Sequence, residues 1–143
     1  MEAIQERFSI ALYHTARSWR QALDRRLKDL GLSQTGWLAI ATIARAAGPL
    51  SQSELAYKVN IENSSCVSLV DGLVKSGLVQ RVPSQQDRRV KHVALTEAGL
   101  ALHSQLKQTA RGFREEMLEG VESALLQQMA ELLETLQKKA DAA

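Results

Sequence analysis

The sequence predicts a mainly α chain with a small β-hairpin, and three observations carry that prediction. Between Leu50 and Ala98, two short helical patterns lead into two short β-rich runs around a polar loop. Ahead of this stretch, residues 3–29 contain no proline or glycine and place Ile4, Phe8, Leu12, Ala16, Trp19, Leu23 and Leu27 at helical steps. Behind it, amphipathic patterns run to the C-terminus. A chain of 143 residues supports one domain, or one domain with an appended helical module. Its 45% hydrophobic content is enough to build a core.

The first helix should end at Leu30-Gly31, where glycine can close the last turn. Ser33 is placed to cap a second helix carrying Trp37, Leu38, Ala41 and Ile43, which should stop at Gly48-Pro49. Ser51 with Glu54 three residues on is a capping-box signature, so a third helix starts there with Leu55, Ala56 and Val59 on its apolar side. After a short turn at Asn60–Glu62, Asn63 or Ser64 is placed to cap a fourth helix that ends at Gly77. Residues 78–82 and 90–95 then read as strands flanking the loop 83–89. Thr96 caps a long helix with Leu100, Leu102, Leu106, Ala110, Phe113 and Met117. Gly120 interrupts that pattern, and a last helix carries Val121, Leu125, Leu126, Met129, Leu132, Leu133 and Leu136.

Two helices joined by a short turn form the DNA-binding helix-turn-helix arrangement, and a hairpin with a long tip after them is a wing. The expected architecture is therefore a winged helix-turn-helix at 33–98, with long terminal helices at 1–32 and 99–143. A helix of about 25 residues spans ~38 Å, and its apolar stripe needs a partner along that whole length. The termini either pack on one another within a monomer or build a homodimer, and the length of the stripes favours the dimer.

Further motifs resemble a known family. G-L-V-Q-R at Gly77–Arg81, D-R-R at Asp87–Arg89 and L-T-E-A-G at Leu95–Gly99 look like the MarR/SlyA-type transcriptional regulators. L-x-x-L-G-L-S-Q-T-G-W from Leu27 to Trp37 is similar to the segment entering that family's second helix. The resemblance implies a ligand-responsive dimeric regulator, with two winged helices side by side on double-stranded DNA. It also implies that a wing arginine reaches the minor groove while Asp87 helps to fix the loop.

In the second motif helix, Val67, Val70, Leu73 and Val74 read as the inward stripe, and Ser64, Ser65, Ser68, Gly72 and Lys75 as the outward one. Asn63, Ser64, Ser65 and Ser68 are the positions that would meet base edges. Serine both donates and accepts, so it discriminates bases less than a bidentate arginine, which relatives often carry where this chain has Ser68. Asp71, acidic on the same helix, should pair with a basic residue of the protein. Ser51, Lys75, Arg81, Asp87, Arg88, Arg89 and Lys91 complete the candidate DNA contacts. Arg88 and Arg89 suit a narrow, strongly negative minor groove, Arg88 being the favoured one, whereas a solvated turn with an internal ion pair is the plainer alternative.

A net charge of +2 says little about nucleic acid, but its distribution says more. Residues 81–92 hold four Lys/Arg against one acid, while residues 121–143 hold two Lys against four acids. Cys66 is the lone cysteine, which excludes an internal disulfide and fits a reducing compartment. In the motif helix it reads as a small packed residue, the alternative being an oxidation switch near a helix N-terminus. No apolar run approaches the ~18 residues of a membrane span and no signal-peptide core is present, so a cytoplasmic protein is expected.

His14, Arg17 and Arg20 are neighbours on one flank of the first helix. With Trp37 they lie where the family resemblance places an effector pocket, and arginine beside tryptophan would suit an aromatic carboxylate. The plainer alternative is the wet face of a long helix. No enzyme motif is present: the three histidines are scattered, and no H-E-x-x-H, C-x-x-C or glycine-rich phosphate loop occurs. No metal or cofactor is expected. The expected function is a homodimeric DNA-binding regulator, a repressor of nearby genes released by a small aromatic ligand. The alternatives are a winged-helix protein–protein adaptor that does not bind DNA, and a redox sensor using Cys66.

Overall fold

The computed structural model describes all residues, Met1–Ala143, and divides into two compact units, Met1–Arg111 and Gly112–Ala143. In the first unit, α1 (Glu2–Leu27) tightens into a 3-10 turn at Lys28–Leu30 and stops at Gly31. α2 (Gln34–Arg45) starts at Ser33, whose Oγ accepts the Gly36 N–H at 3.1 Å. It ends at Arg45 rather than at Gly48-Pro49, because Ala46 already has extended backbone. β1 (Leu50–Ser51) runs directly into α3 (Gln52–Val59) through the expected capping box. The Glu54 N–H donates to Ser51 Oγ at 3.1 Å, and the Ser51 N–H donates back to Glu54 Oε1 at 3.4 Å. Hydrogen bonding to the Ser51 side chain and backbone N–H holds the Glu54 carboxyl below its ordinary range.

Asn60 closes α3 in the left-handed conformation (φ 61°), and α4 (Asn63–Lys75) follows after a two-residue turn. The N-cap of α4 is Glu62, with no side-chain cap, so neither Asn63 nor Ser64 caps it. Asn63 is instead the first helical residue. Gly77 (φ 78°) ends this stretch, with the Leu78 N–H on the Leu73 carbonyl and the Gly77 N–H on the Val74 carbonyl, both at 3.0 Å. This is the Schellman pattern, which places a left-handed residue just past the helix.

β2 (Val79–Pro83) and β3 (Lys91–Leu95) form the hairpin, with Arg81 opposite Val93. The expected two-stranded wing is in fact a three-stranded antiparallel sheet in the order β1-β3-β2, because Leu50 pairs with Val93 on the other edge. β3 is thus a central strand, and Val93 is fully buried there. The core joins Leu27, Ile40, Leu55, Val70, Val79 and Val93, and Leu106 of α5 (Glu97–Met117) belongs to it. The whole winged helix therefore shares one hydrophobic centre with the end of α1 and the first half of α5. Thr96 starts α5 as expected: its Oγ accepts the Gly99 N–H at 3.1 Å, and its hydroxyl donates to the Gly77 carbonyl.

The second unit holds the end of α5 and α6 (Ser123–Ala142), joined through Gly120 (φ 81°). No residue of α6 is buried. Leu125, Met129, Leu132 and Leu133 stand 38–49% exposed along it. In the first unit, α1 likewise exposes Ile4, Phe8 and Leu12, and only Leu27 of that helix is buried. No helix is long and apolar enough to cross a membrane.

Candidate nucleic-acid interface

α4 presents Asn63, Ser64, Ser65 and Ser68 exposed, with Lys75 exposed in its last turn. The side facing the core is Cys66, Val70 and Leu73, with Leu69 partly buried. This corrects the expected inward stripe: Val67 and Val74 are 41% and 37% exposed. Each sits one residue on from a core position, and a step of 100° carries it out of the packed arc.

Asp71 pairs within the protein as expected, and its partner is Arg81, with Nη2 to Oδ1 at 2.6 Å. Arg81 Nε also donates to Gln52 Oε1 at 3.0 Å. One guanidinium therefore ties β2 to the start of α3 and the middle of α4. Planar guanidinium donors suit two fixed acceptors at once, and Arg81 uses them on the protein's own Gln52 and Asp71. Gln52 was not legible as a partner in the sequence, since it lies 29 residues from Arg81. Ser51 uses its hydroxyl oxygen to cap α3.

The wing tip is built on Ser84, a buried polar residue. Its Oγ accepts the Gln86 and Asp87 N–H groups at 3.2 and 3.4 Å. Asp87 then holds Arg89: Oδ1 accepts the Arg89 N–H at 3.0 Å and Nε at 3.2 Å, and Oδ2 accepts Nη2 at 3.2 Å. These bonds hold the Asp87 carboxyl below its ordinary range. Arg88, between the two, is exposed and has no such partner. The two wing arginines are therefore unlike: Arg89 is part of the loop's own structure, while Arg88 is a free cation at the tip. Lys91 is exposed at the loop end of the hairpin, opposite Pro83.

Cys66 is fully buried, its Sγ lies 3.5 Å from the Gln52 carbonyl oxygen, and burial pushes its thiol up. A redox switch needs an accessible thiolate, and this site offers the opposite. Iodoacetamide at pH 8 should leave Cys66 unmodified in the folded protein and label it fully in denaturant, read by intact mass. Rapid labelling of the folded chain would contradict the packing described here.

Of the four candidate effector residues, His14, Arg17 and Arg20 are exposed on α1, and the His14 ring meets Tyr13 edge-on at 5.3 Å. Trp37 is half-buried, and its indole N–H donates to Asp24 Oδ1 at 3.2 Å. Asp24 is one turn beyond Arg20, so Trp37 comes close to Arg20's flank of α1. His14 is ten residues from Asp24, ~15 Å of helix rise away. The structure thus ties Trp37 to α1 at Asp24, one turn beyond Arg20, and His14 lies further along the helix.

The MarR family model matches residues 32–91, which cover α2 through the wing. The fold is also similar to the transcriptional regulator PA3341 at 34% identity, with a TM-score of 0.85, covering 95% of this chain and 99% of that one. It is also similar to the transcriptional regulator BldR from Sulfolobus solfataricus, at 28% identity and TM-score 0.75, covering 99% and 96%. The fold of CouR from Rhodococcus jostii, solved with p-coumaroyl-CoA, is likewise similar, at 24% identity and TM-score 0.75, covering 90% of each chain. With its helix-turn-helix, its three-stranded wing and a likeness extending over both terminal helices, the chain belongs to the MarR family of transcriptional regulators.

Proposed function

We propose that the protein is a homodimeric repressor that binds an inverted-repeat operator through residues 33–98 and dimerises through residues 1–32 and 99–143. α4 enters the major groove with Asn63, Ser64, Ser65 and Ser68 toward the bases, and the wing places Arg88 in the minor groove. Ser51, Lys75 and Lys91 add backbone contacts, while Arg81, Asp87 and Arg89 hold the two reading elements in shape. The observation that carries this reading is the difference between the wing arginines: a free Arg88 on a loop pinned by Ser84 and by the Asp87–Arg89 pair. A charge held at the tip of such a loop suits a narrow A·T-rich groove, where guanidinium reads shape.

A small aromatic molecule is proposed as the releasing signal, acting near Arg17, Arg20 and Trp37 inside the cytoplasm. The fold shared with CouR, which was solved with p-coumaroyl-CoA, supports an aromatic acid or acyl ligand class.

Arg88→Ala should weaken binding to specific and nonspecific duplex alike by ~1–3 kcal/mol per wing, and lower the salt slope by about one ion per wing. Arg89→Ala should act through the loop, seen as faster amide exchange over 84–90. Titrations at several salt concentrations read the first effect, and exchange measurements the second. An Arg88→Ala protein that binds like the parent at every salt concentration would remove the wing from the interface.

A further inference from the structure

Val67, one of two exposed valines on α4, is the feature that the DNA-binding reading leaves unused. Val67 is 41% exposed in the N-terminal half of a helix whose other exposed residues there are Asn63, Ser64, Ser65 and Ser68. It sits one turn from Asn63 and Ser64 on one side and from Asp71 on the other, so it shares their surface. The Asp71 carboxylate beside it is occupied by Arg81 at 2.6 Å and does not present a bare negative charge to DNA. Val74 lies on the same flank but near the C-terminal end, away from the end that contacts base edges.

Consider what such a surface can read. It has no arginine, lysine or glutamine to make the bidentate bonds that select guanine or adenine, apart from Asn63 at its edge. Its serines donate and accept, so they discriminate weakly. Among the base edges of the major groove, the apolar feature is the C5-methyl group of thymine. A β-branched side chain in a helix is held in one strongly preferred χ1 rotamer, so the Val67 methyls are presented in a fixed position rather than searching for one. We infer that Val67 is a specificity-determining residue that packs against the C5-methyl group of a thymine in each half-site. The inference rests on the proposed entry of α4 into the major groove.

The test uses the full-length chain and a duplex selected by binding from a random pool. Each thymine is replaced by deoxyuridine, which pairs identically and lacks only the methyl, first singly and then as symmetric pairs. One thymine in each half-site should weaken binding about fourfold on replacement, the change that losing one buried methyl brings, and the symmetric pair about fifteenfold. Val67→Ala should bind the thymine and deoxyuridine duplexes equally, each about as well as the parent binds the deoxyuridine one. Because the base substitution leaves the protein untouched, the result does not depend on a variant folding. A duplex bound well with no methyl-sensitive thymine would overturn the inference, as would a sensitivity that persists in Val67→Ala, with DNA binding itself left standing. If no duplex is selected at all, the DNA-binding reading falls and the inference with it.

Discussion

Removing Val121–Ala143 should turn the protein into a monomer or an aggregate and cost about 10²–10⁴-fold in affinity for an inverted-repeat duplex. The size follows from linkage: two half-sites held by one dimer gain that much over two independent binders. The physical basis is the surface of α6, where Leu125, Met129, Leu132 and Leu133 are 38–49% exposed and no residue is buried. An amphipathic helix with a bare apolar side needs a partner, and exposed patches of this kind mark interfaces. The truncation removes no member of the core formed by Leu27, Ile40, Leu55, Val93 and Leu106, so the winged helix itself should keep its fold. Sedimentation velocity with a fluorescence titration reads both effects. The double substitution Leu125→Asp with Leu132→Asp should reproduce the loss without shortening the chain. A truncated protein that remains dimeric and binds the inverted repeat like the parent would refute the proposed architecture.

The second large effect is expected at Gly99. A Cβ there would lie 2.1 Å from the Leu78 carbonyl oxygen and 3.1 Å from its carbon. That oxygen already accepts the Thr96 N–H at 3.1 Å, so the backbone entering β2 and the start of α5 are bonded at this point. Nothing flexible can yield; the junction itself must open. Gly99→Ala should therefore destabilise the protein by about 3 kcal/mol, at the upper end of overpacking costs, which corresponds to a midpoint lower by roughly 10 °C. Gly112→Ala, on the same helix with open space around it, should have the opposite sign, stabilising by about 0.5–1 kcal/mol. Thermal unfolding of the two variants separates close packing from helix propensity. A Gly99→Ala protein as stable as the parent would mean that the contact with Leu78 is not as close as described.

The glycine also shows how far a motif can be read without its surroundings. L-T-E-A-G carries a resemblance in the sequence, and Thr96 within it is legible as a cap, because a cap acts on a residue three positions away. The reason for Gly99 is a carbonyl 21 positions earlier, and no local pattern contains it. The same division runs through the candidate site. Arg88 and Arg89 look alike in sequence, and only the path of the loop gives Arg89 both oxygens of Asp87 while leaving Arg88 free. The expected pairing of Asp71 with a basic residue is present. That this residue is Arg81, and that Gln52 shares it, depends on three elements meeting.

What the sequence determined by itself is the order of elements: the long first helix, the caps at Ser33, Ser51 and Thr96, the turn into α4 and the hairpin. Each of these follows from hydrogen bonds and side-chain spacing within a few residues, so the information is local. Tertiary structure alone decided which side of α4 is buried. Cys66, Val67, Leu69, Val70, Leu73 and Val74 cover too wide an arc of one helix for periodicity to choose among them. The choice falls to the arc that meets the shared core, and it buries Cys66 while turning Val67 outward. β1 was decided in the same way: two residues have no readable period, and Leu50 becomes a strand because Val93 offers it an edge. Burial and strand pairing are properties of what a residue meets, which only the assembled chain supplies.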